Sequence, residues 1–233
     1  MGSLYIVATP IGNLEDISFR AVKVLTEVDL ILAENTYTAK KLLSVYDIKK
    51  DLWQYNQKSS EKQFLNICDK LREGKSLALI SEAGTPGISD PGSMLVSRLL
   101  EDLTDTKIIP ITGASALSAI VSVSGLKMDR FCFLGFLPHK KGRQKMIKEI
   151  ADNQYSVVLY ESKHRLLKLL DELIEHGLAE RDLVIGRELT KIYEHIYRGK
   201  ADELKEYFLK NEIEQKGEFV IVIKKTTRLI QVV

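Results

Sequence analysis

Long apolar runs are missing from this chain. None of its 233 residues sits in an uninterrupted apolar stretch near the roughly 18 that a membrane span requires, so no membrane partner is expected. Cysteine is scarce. Cys68 and Cys132 stand in separate apolar segments with no C-x-x-C, a pattern that favours buried free thiols and a reducing cytoplasm over a disulfide framework. The opening residues, MGSLYIVATP, have neither the cationic region nor the long apolar region of a secretory signal. Ile6 also stands where a myristoylation signal needs Ser or Thr. His139, His164, His176 and His195 are scattered, with no i, i+4 pair and no H-E-x-x-H, so no metal site is expected. Nucleotide phosphate cradles are absent too: neither G-x-G-x-x-G nor G-x-x-x-x-G-K-[ST] occurs. A large charge excess is equally lacking, because a net +2 is too mild to announce nucleic acid.

What remains is a composition of 45% hydrophobic and 28% charged residues, that of an ordinary globular protein. Short β-branched runs bounded by turns, LYIVAT (4–9), DLILAE (29–34), SLALI (76–80) and KIIPI (107–111), read as buried strands. Helical spacing fills 17–28, 36–46, 60–73 and 91–102. Such alternation predicts a largely parallel sheet with helices on its faces. Beyond Gly113 the strands come closer together: 131–136, 155–160, 182–186, 192–199 and 218–223, with helices expected over 141–152, 162–176 and 201–209. IYEHIYRG (192–199) interleaves apolar and polar residues and reads as a half-exposed antiparallel strand. The expected fold is therefore α/β with two α/β domains, residues 1–113 and 114–233. Charge divides with them, at −2 and +4. The excess concentrates in HKKGRQKMIK (139–148), where Lys140, Lys141, Arg143 and Lys145 occur without an acid. These four are candidate phosphate contacts, and a solvated helix start is the alternative.

The segment SEAGTPGISDPG (81–92) leaves the carboxyl end of a strand and is dense in Gly and Pro. Ligands of open α/β sheets bind at such ends. Pro10 in TPIGN (9–13), with Pro86 and Pro91, removes N–H groups that a phosphate would seek. Backbone rich in carbonyls and poor in N–H suits a cation, or a ligand that needs acceptors. S-adenosylmethionine, with its sulfonium, ammonium and adenine amino group, meets that description. Taken alone, the loop is explained equally well as a rigid turn with no ligand.

Other segments accompany it in order: LYIVATPIGNLEDIS, LILAENT, GASA, GLKMDRFCFLGFLPHKKGR, YESKHRLL and RELTK. Together they resemble the ribosomal small-subunit methyltransferase I group of the tetrapyrrole methylase superfamily, from Leu4 to about Ile223. The resemblance implies two α/β domains with S-adenosylmethionine in the cleft between them, a homodimer, and 2′-O-methylation of a cytidine ribose in small-subunit (16S) ribosomal RNA, free or within the assembled subunit. Carried over position by position, it makes Pro10, Gly84, Thr85, Pro86, Gly87, Ile88, Ser115, Ala116, Tyr160 and Leu189 the cofactor contacts. Asn35-Thr36-Tyr37 stands where the group usually has Asp-Thr-Arg, and Glu82 where it has Asp.

Methyl transfer needs in-line positioning above all, but a ribose hydroxyl also needs a base to take its proton. Glu34 and Glu161, each at or just after a strand's carboxyl end, are the candidates. Either is also explained as a solvated acid or as a partner of Arg165 or Arg187. Two other functions stay open at this point: methylation of a small molecule such as a tetrapyrrole, and RNA binding without catalysis.

Overall fold

Five short apolar segments pair side by side in the first half of the chain. They are β1 (Ser3–Val7), β2 (Leu30–Ala33), β3 (Leu52–Gln54), β4 (Leu77–Ile80) and β5 (Lys107–Ile111). All are parallel, in the order β3-β2-β4-β1-β5. β2 and β4 are buried along their whole length, which is why both read as unbroken apolar runs rather than as alternation. Helices α1 (Phe19–Glu27) and α2 (Thr36–Val45) cover one face, with Ala21, Leu25, Ala39 and Leu43 packed on Val7, Ile31 and Ile80. Helices α3 (Glu61–Arg72) and α4 (Gly92–Asp102) cover the other, with Phe64, Leu71, Leu95 and Leu99 on Leu4, Leu32 and Leu79. Serine side chains start two of these helices: Ser18 Oγ accepts from Ala21 N–H, and Ser60 forms a capping box with Gln63.

The computed structural model describes residues 1–225, and the chain divides into two compact units, Met1–Ser115 and Ala116–Val233. The second unit begins with α5 (Ala116–Val123) and continues through β6 (Phe131–Phe136), α6 (Arg143–Asp152), β7 (Ser156–Ser162) and α7 (Leu166–Leu173). It closes with β8 (Asp182–Arg187), β9 (His195–Lys200), α8 (Ala201–Lys210) and β10 (Glu218–Ile223). The sheet order is β6-β7-β10-β8-β9. Only β6 and β7 run parallel; β10 is antiparallel to both its neighbours, and β9 is antiparallel to β8. Ile147, Leu166, Leu170, Phe208, Phe219 and Ile221 join α6, α7 and α8 to one face in a single core. Gly186 of β8 leaves room for Ile120 of α5, since an added Cβ would lie 2.8 Å from its Cδ1 and 2.9 Å from Leu189 Cδ2.

Two elements are missing from the sequence reading, and the strand expected over 192–199 begins only at His195. β3 is a three-residue edge strand whose residues are half-buried or exposed, too short for a period to show. α5, ALSAIVSV, has only Ser118 and Ser122 among apolar residues and lacks the charged face that identifies a surface helix.

Candidate active site

Because the first sheet is wholly parallel, the loops after all its strands emerge along one edge. There the backbones of two loops lock together. Thr9 N–H donates to the Gly84 carbonyl at 2.9 Å and Gly84 N–H returns the bond to Thr9 at 3.0 Å. Gly84 sits at φ 78°, and an added Cβ would meet Ile11 Cγ2 at 3.1 Å, so this crossing requires glycine. Thr85 Oγ1 donates to the Ala114 carbonyl at 3.1 Å, tying the same loop to the segment that follows β5. Pro10, Gly84, Thr85, Pro86, Gly87, Ile88 and Ser115 are thereby drawn toward one edge of the first unit, with Pro10, Gly84 and Pro86 buried and Gly87 exposed.

Asp90 organises the far side of the loop. Its Oδ1 accepts from Gly87 N–H at 2.8 Å and from Gly92 N–H at 2.7 Å. Gly87 is at φ 91° and Ser89 at φ 62°, so the turn is held in a conformation that side chains resist. The sequence reading missed Asp90, although Asp before Pro-Gly is a recognisable turn-forming signal. Here Asp90 lines a small recess with Glu34, Tyr55, Ser81, Pro86 and Gly92. Glu34 is half-buried, and its carboxyl titrates above the ordinary carboxylate range, first because burial disfavours its charge, then because Glu82 and Asp90 are negative neighbours. Asn35 caps α2, its Oδ1 accepting from Tyr37 N–H at 3.0 Å and Thr38 N–H at 3.4 Å. It therefore performs the capping work open to an aspartate at that position. Tyr37 is exposed, with Lys41 Nζ 4.3 Å from its ring centroid.

In the second unit, two of the expected roles are corrected. Glu161 lies inside β7, 1% exposed. Its Oε1 accepts from Ser162 N–H at 2.8 Å and faces Arg165 Nε at 2.7 Å, an ion pair whose N–H is not aligned for a hydrogen bond. Its Oε2 receives the Arg143 guanidinium at 3.4 Å. A carboxylate so enclosed is a structural counter-ion and not a base within reach of a substrate hydroxyl. Arg143 likewise leaves the basic patch. It is 2% exposed, and its Nε donates to Glu172 Oε1 and Oε2 at 3.0 and 2.7 Å. Two buried carboxylates demand a buried cation, and Gly142, at φ 86°, turns the chain so that α6 opens with Arg143 pointing inward. Glu172 has no signal in the sequence beyond one acid on an otherwise apolar helix face.

Lys140, Lys141 and Lys145 are exposed; Lys145 faces Glu149 at 3.8 Å across one helical turn. Tyr160 is half-buried, edge-to-face with Phe133 and Phe136 at centroid separations of 5.0 and 5.4 Å. Leu189 is buried between Glu188 and Thr190, non-glycine residues at φ 49° and 66°. Backbone held in that region persists only where its surroundings enforce it. Arg187 supplies part of the enforcement, donating to the carbonyls of Lys216, Tyr193 and Ile213. Ala116 opens α5. Among the described residues, no group of three or more His, Cys, Asp or Glu is placed to hold a metal ion, and no helix is long and apolar enough to cross a membrane.

Residues 3–205 match the family described as Tetrapyrrole (Corrin/Porphyrin) Methylases. Among curated proteins, the chain is 46% identical over 225 residues to the ribosomal RNA small subunit methyltransferase I of Borrelia garinii, covering 96% of this chain and 99% of that one. It is 43% identical to the protein of the same name from Thermotoga maritima, covering 96% and 98%. Among solved structures, diphthine synthase matches with a TM-score of 0.71 at 16% identity, over 97% of this chain and 91% of that one. The methyltransferase CobJ matches with a TM-score of 0.68 at 17% identity, over 97% and 95%. A uroporphyrin-III C-methyl transferase from Thermus thermophilus, solved with S-adenosyl homocysteine, matches with a TM-score of 0.65 at 16% identity, over 96% and 97%. The chain thus belongs to the tetrapyrrole (corrin/porphyrin) methylase family and, within it, to the ribosomal RNA small subunit methyltransferase I group.

Proposed function

We propose that this chain is an S-adenosylmethionine-dependent methyltransferase that methylates the ribose 2′-oxygen of a cytidine in small-subunit (16S) ribosomal RNA. The observation that carries the reading is the near full-length likeness, at 46% identity, to a relative named for that class of RNA. The chemistry of the first unit supports the cofactor. Bound S-adenosylmethionine supplies an electrophilic methyl on a positively charged sulfur. An edge carrying Glu34, Glu82 and Asp90, with prolines in place of N–H donors, suits a cation and repels a phosphate. Pro10, Gly84 to Ile88 and Ser115 are the contacts proposed there, and Ala116, Tyr160 and Leu189 are the candidates of the second unit.

Most of the acceleration then comes from holding the ribose hydroxyl in line with the methyl group. Glu34 takes the hydroxyl proton as the new oxygen–carbon bond forms. Its raised affinity for protons makes its ionised form a stronger base than an ordinary carboxylate. Lys140, Lys141 and Lys145 hold phosphates of the RNA. The protein works in the cytoplasm, where the subunit is made, as a homodimer of chains of 26.4 kDa each.

The deciding experiment maps 2′-O-methylated ribose in small-subunit rRNA from cells with and without the gene. One methylated cytidine present only with the gene is the expected result. Identical maps would remove the RNA reading and return the small-molecule alternative. A methylated base in place of a methylated ribose would keep the RNA and overturn the oxygen acceptor.

A further inference from the structure

Phe136 breaks the alternation of its strand. The register pairs Phe133 with Val158 and Phe136 with Tyr160, so β6 spends one residue more than β7 between the two pairs. Gly135 absorbs the extra residue at φ 60°. A bulge with a left-handed glycine re-aims the side chain beside it, and Phe136 emerges 53% exposed between buried Gly135 and Leu137. An exposed phenylalanine at the end of a strand is ordinary; one that is held from behind is less so. Tyr160 meets it at 62° and is itself backed by Phe133 at 68°.

The backbone leaving Phe136 is clamped as well. Arg165 Nη1 donates to the Leu137 carbonyl at 2.9 Å and Arg143 Nη1 to the Pro138 carbonyl at 3.3 Å. Both guanidiniums are anchored on buried Glu161, the residue after Tyr160. The buried charges therefore fix the position of this one stretch of chain. Directly beyond it come His139, Lys140 and Lys141, all exposed and with no acid among them. A fixed aromatic face followed by solvated cations is how proteins grip unpaired nucleic acid, with bases on the ring and phosphates on the lysines.

We propose that Phe136, backed by Tyr160, is a stacking platform for an unpaired nucleobase of the RNA, with Lys140 and Lys141 on the phosphates beside it. The proposal rests on the RNA reading above and adds to it the place where a base is held. Glu161 is a positioning residue in this arrangement, acting through Arg143 and Arg165.

The test measures binding of a fluorescent single-stranded cytidine-rich RNA against salt, with S-adenosylmethionine affinity measured in parallel by calorimetry. Phe136→Ala is expected to weaken RNA binding roughly 5- to 150-fold, the worth of one stacked base, with the salt slope and cofactor affinity unchanged. Phe136→Trp should restore affinity, and Phe136→Leu should not. Because the ring is exposed, these variants should keep the wild-type melting temperature. Equal RNA affinity for wild type and Phe136→Ala overturns the platform, as does full rescue by Leu, which would reduce the contact to apolar burial. Loss of cofactor affinity with RNA affinity intact assigns the ring to the adenine of the cofactor and also overturns it. A wild-type protein with no RNA affinity at any salt fails the RNA reading itself, a result distinct from the other three.

Discussion

Glu34 and Glu161 close similar sequences, LILAE and VVLYE, and meet opposite fates. Glu34 follows β2 at the open edge of a parallel sheet, half-buried, with acids for neighbours. Glu161 ends up within β7 under two arginines, at 1% exposure. One carboxylate is left with proton affinity to use, and the other has its charge consumed by the fold. The difference lies in what the next helix brings. The segment after β2 contributes Asn35, which caps α2, whereas the one after β7 contributes Arg165 four residues on.

The sharpest way to break this comparison is to neutralise each site. Glu34→Gln should lower kcat about 10²- to 10⁴-fold, the usual worth of a general base, without loss of stability. A carboxyl whose affinity for protons is raised by folding contributes stability below its unfolded pKa and loses it as pH rises through the folded value. Above that value the ionised Glu34 therefore opposes folding, and the amide should be neutral or slightly stabilising. Single-turnover methyl transfer and urea denaturation check both halves; wild-type kcat in the variant would remove Glu34 from the chemistry.

Arg143→Ala should act in the reverse sense. It strands Glu161 and Glu172, and breaking a buried pair from one side costs about 3–5 kcal/mol. A denaturation midpoint close to wild type would show that the network is dispensable. Asp90→Ala should have an intermediate effect of about 1–3 kcal/mol, since two glycine N–H groups lose their shared acceptor. It also removes a negative neighbour of Glu34, so the acid limb of the pH–rate profile should move to lower pH. An unmoved limb would separate the activity from Glu34's titration. The smallest effect belongs to the surface. Lys140→Ala with Lys141→Ala should flatten the log–log salt dependence of single-stranded RNA binding, by roughly 0.7 for each phosphate no longer neutralised, with kcat at saturating RNA unchanged. Parallel salt lines would leave these lysines as a solvated face.

Much of the architecture was legible because burial leaves a one-dimensional trace. β2 and β4, covered on both faces, are unbroken apolar runs, and β9, at a sheet edge with His195 and Arg198 exposed, mixes polar residues with apolar ones. β3 and α5 escaped because three edge residues carry no period and an almost wholly apolar helix carries no stripe. At the candidate site, glycines and prolines marked the loop after β4, since positive φ and missing N–H groups are properties of residue type. Asp90 was visible in principle, as a turn residue before Pro-Gly. The destination of Arg143 was not. It stands in HKKGRQKMIK beside lysines of the same charge, and composition treats them alike.

By itself, then, the sequence determined the order of all strands and helices but β3 and α5, the glycine–proline loop at a strand's carboxyl end and the family to which the chain belongs. These depend on local residue types and on their order. Only the tertiary structure decided which charges are free to act. Glu161 and Glu172 come from β7 and α7, and Arg143 from the first turn of α6. Their meeting rests on hydrogen bonds across 18 and 29 residues of chain. A charge withdrawn from water must find its partner wherever packing brings one, and no local pattern records where that is.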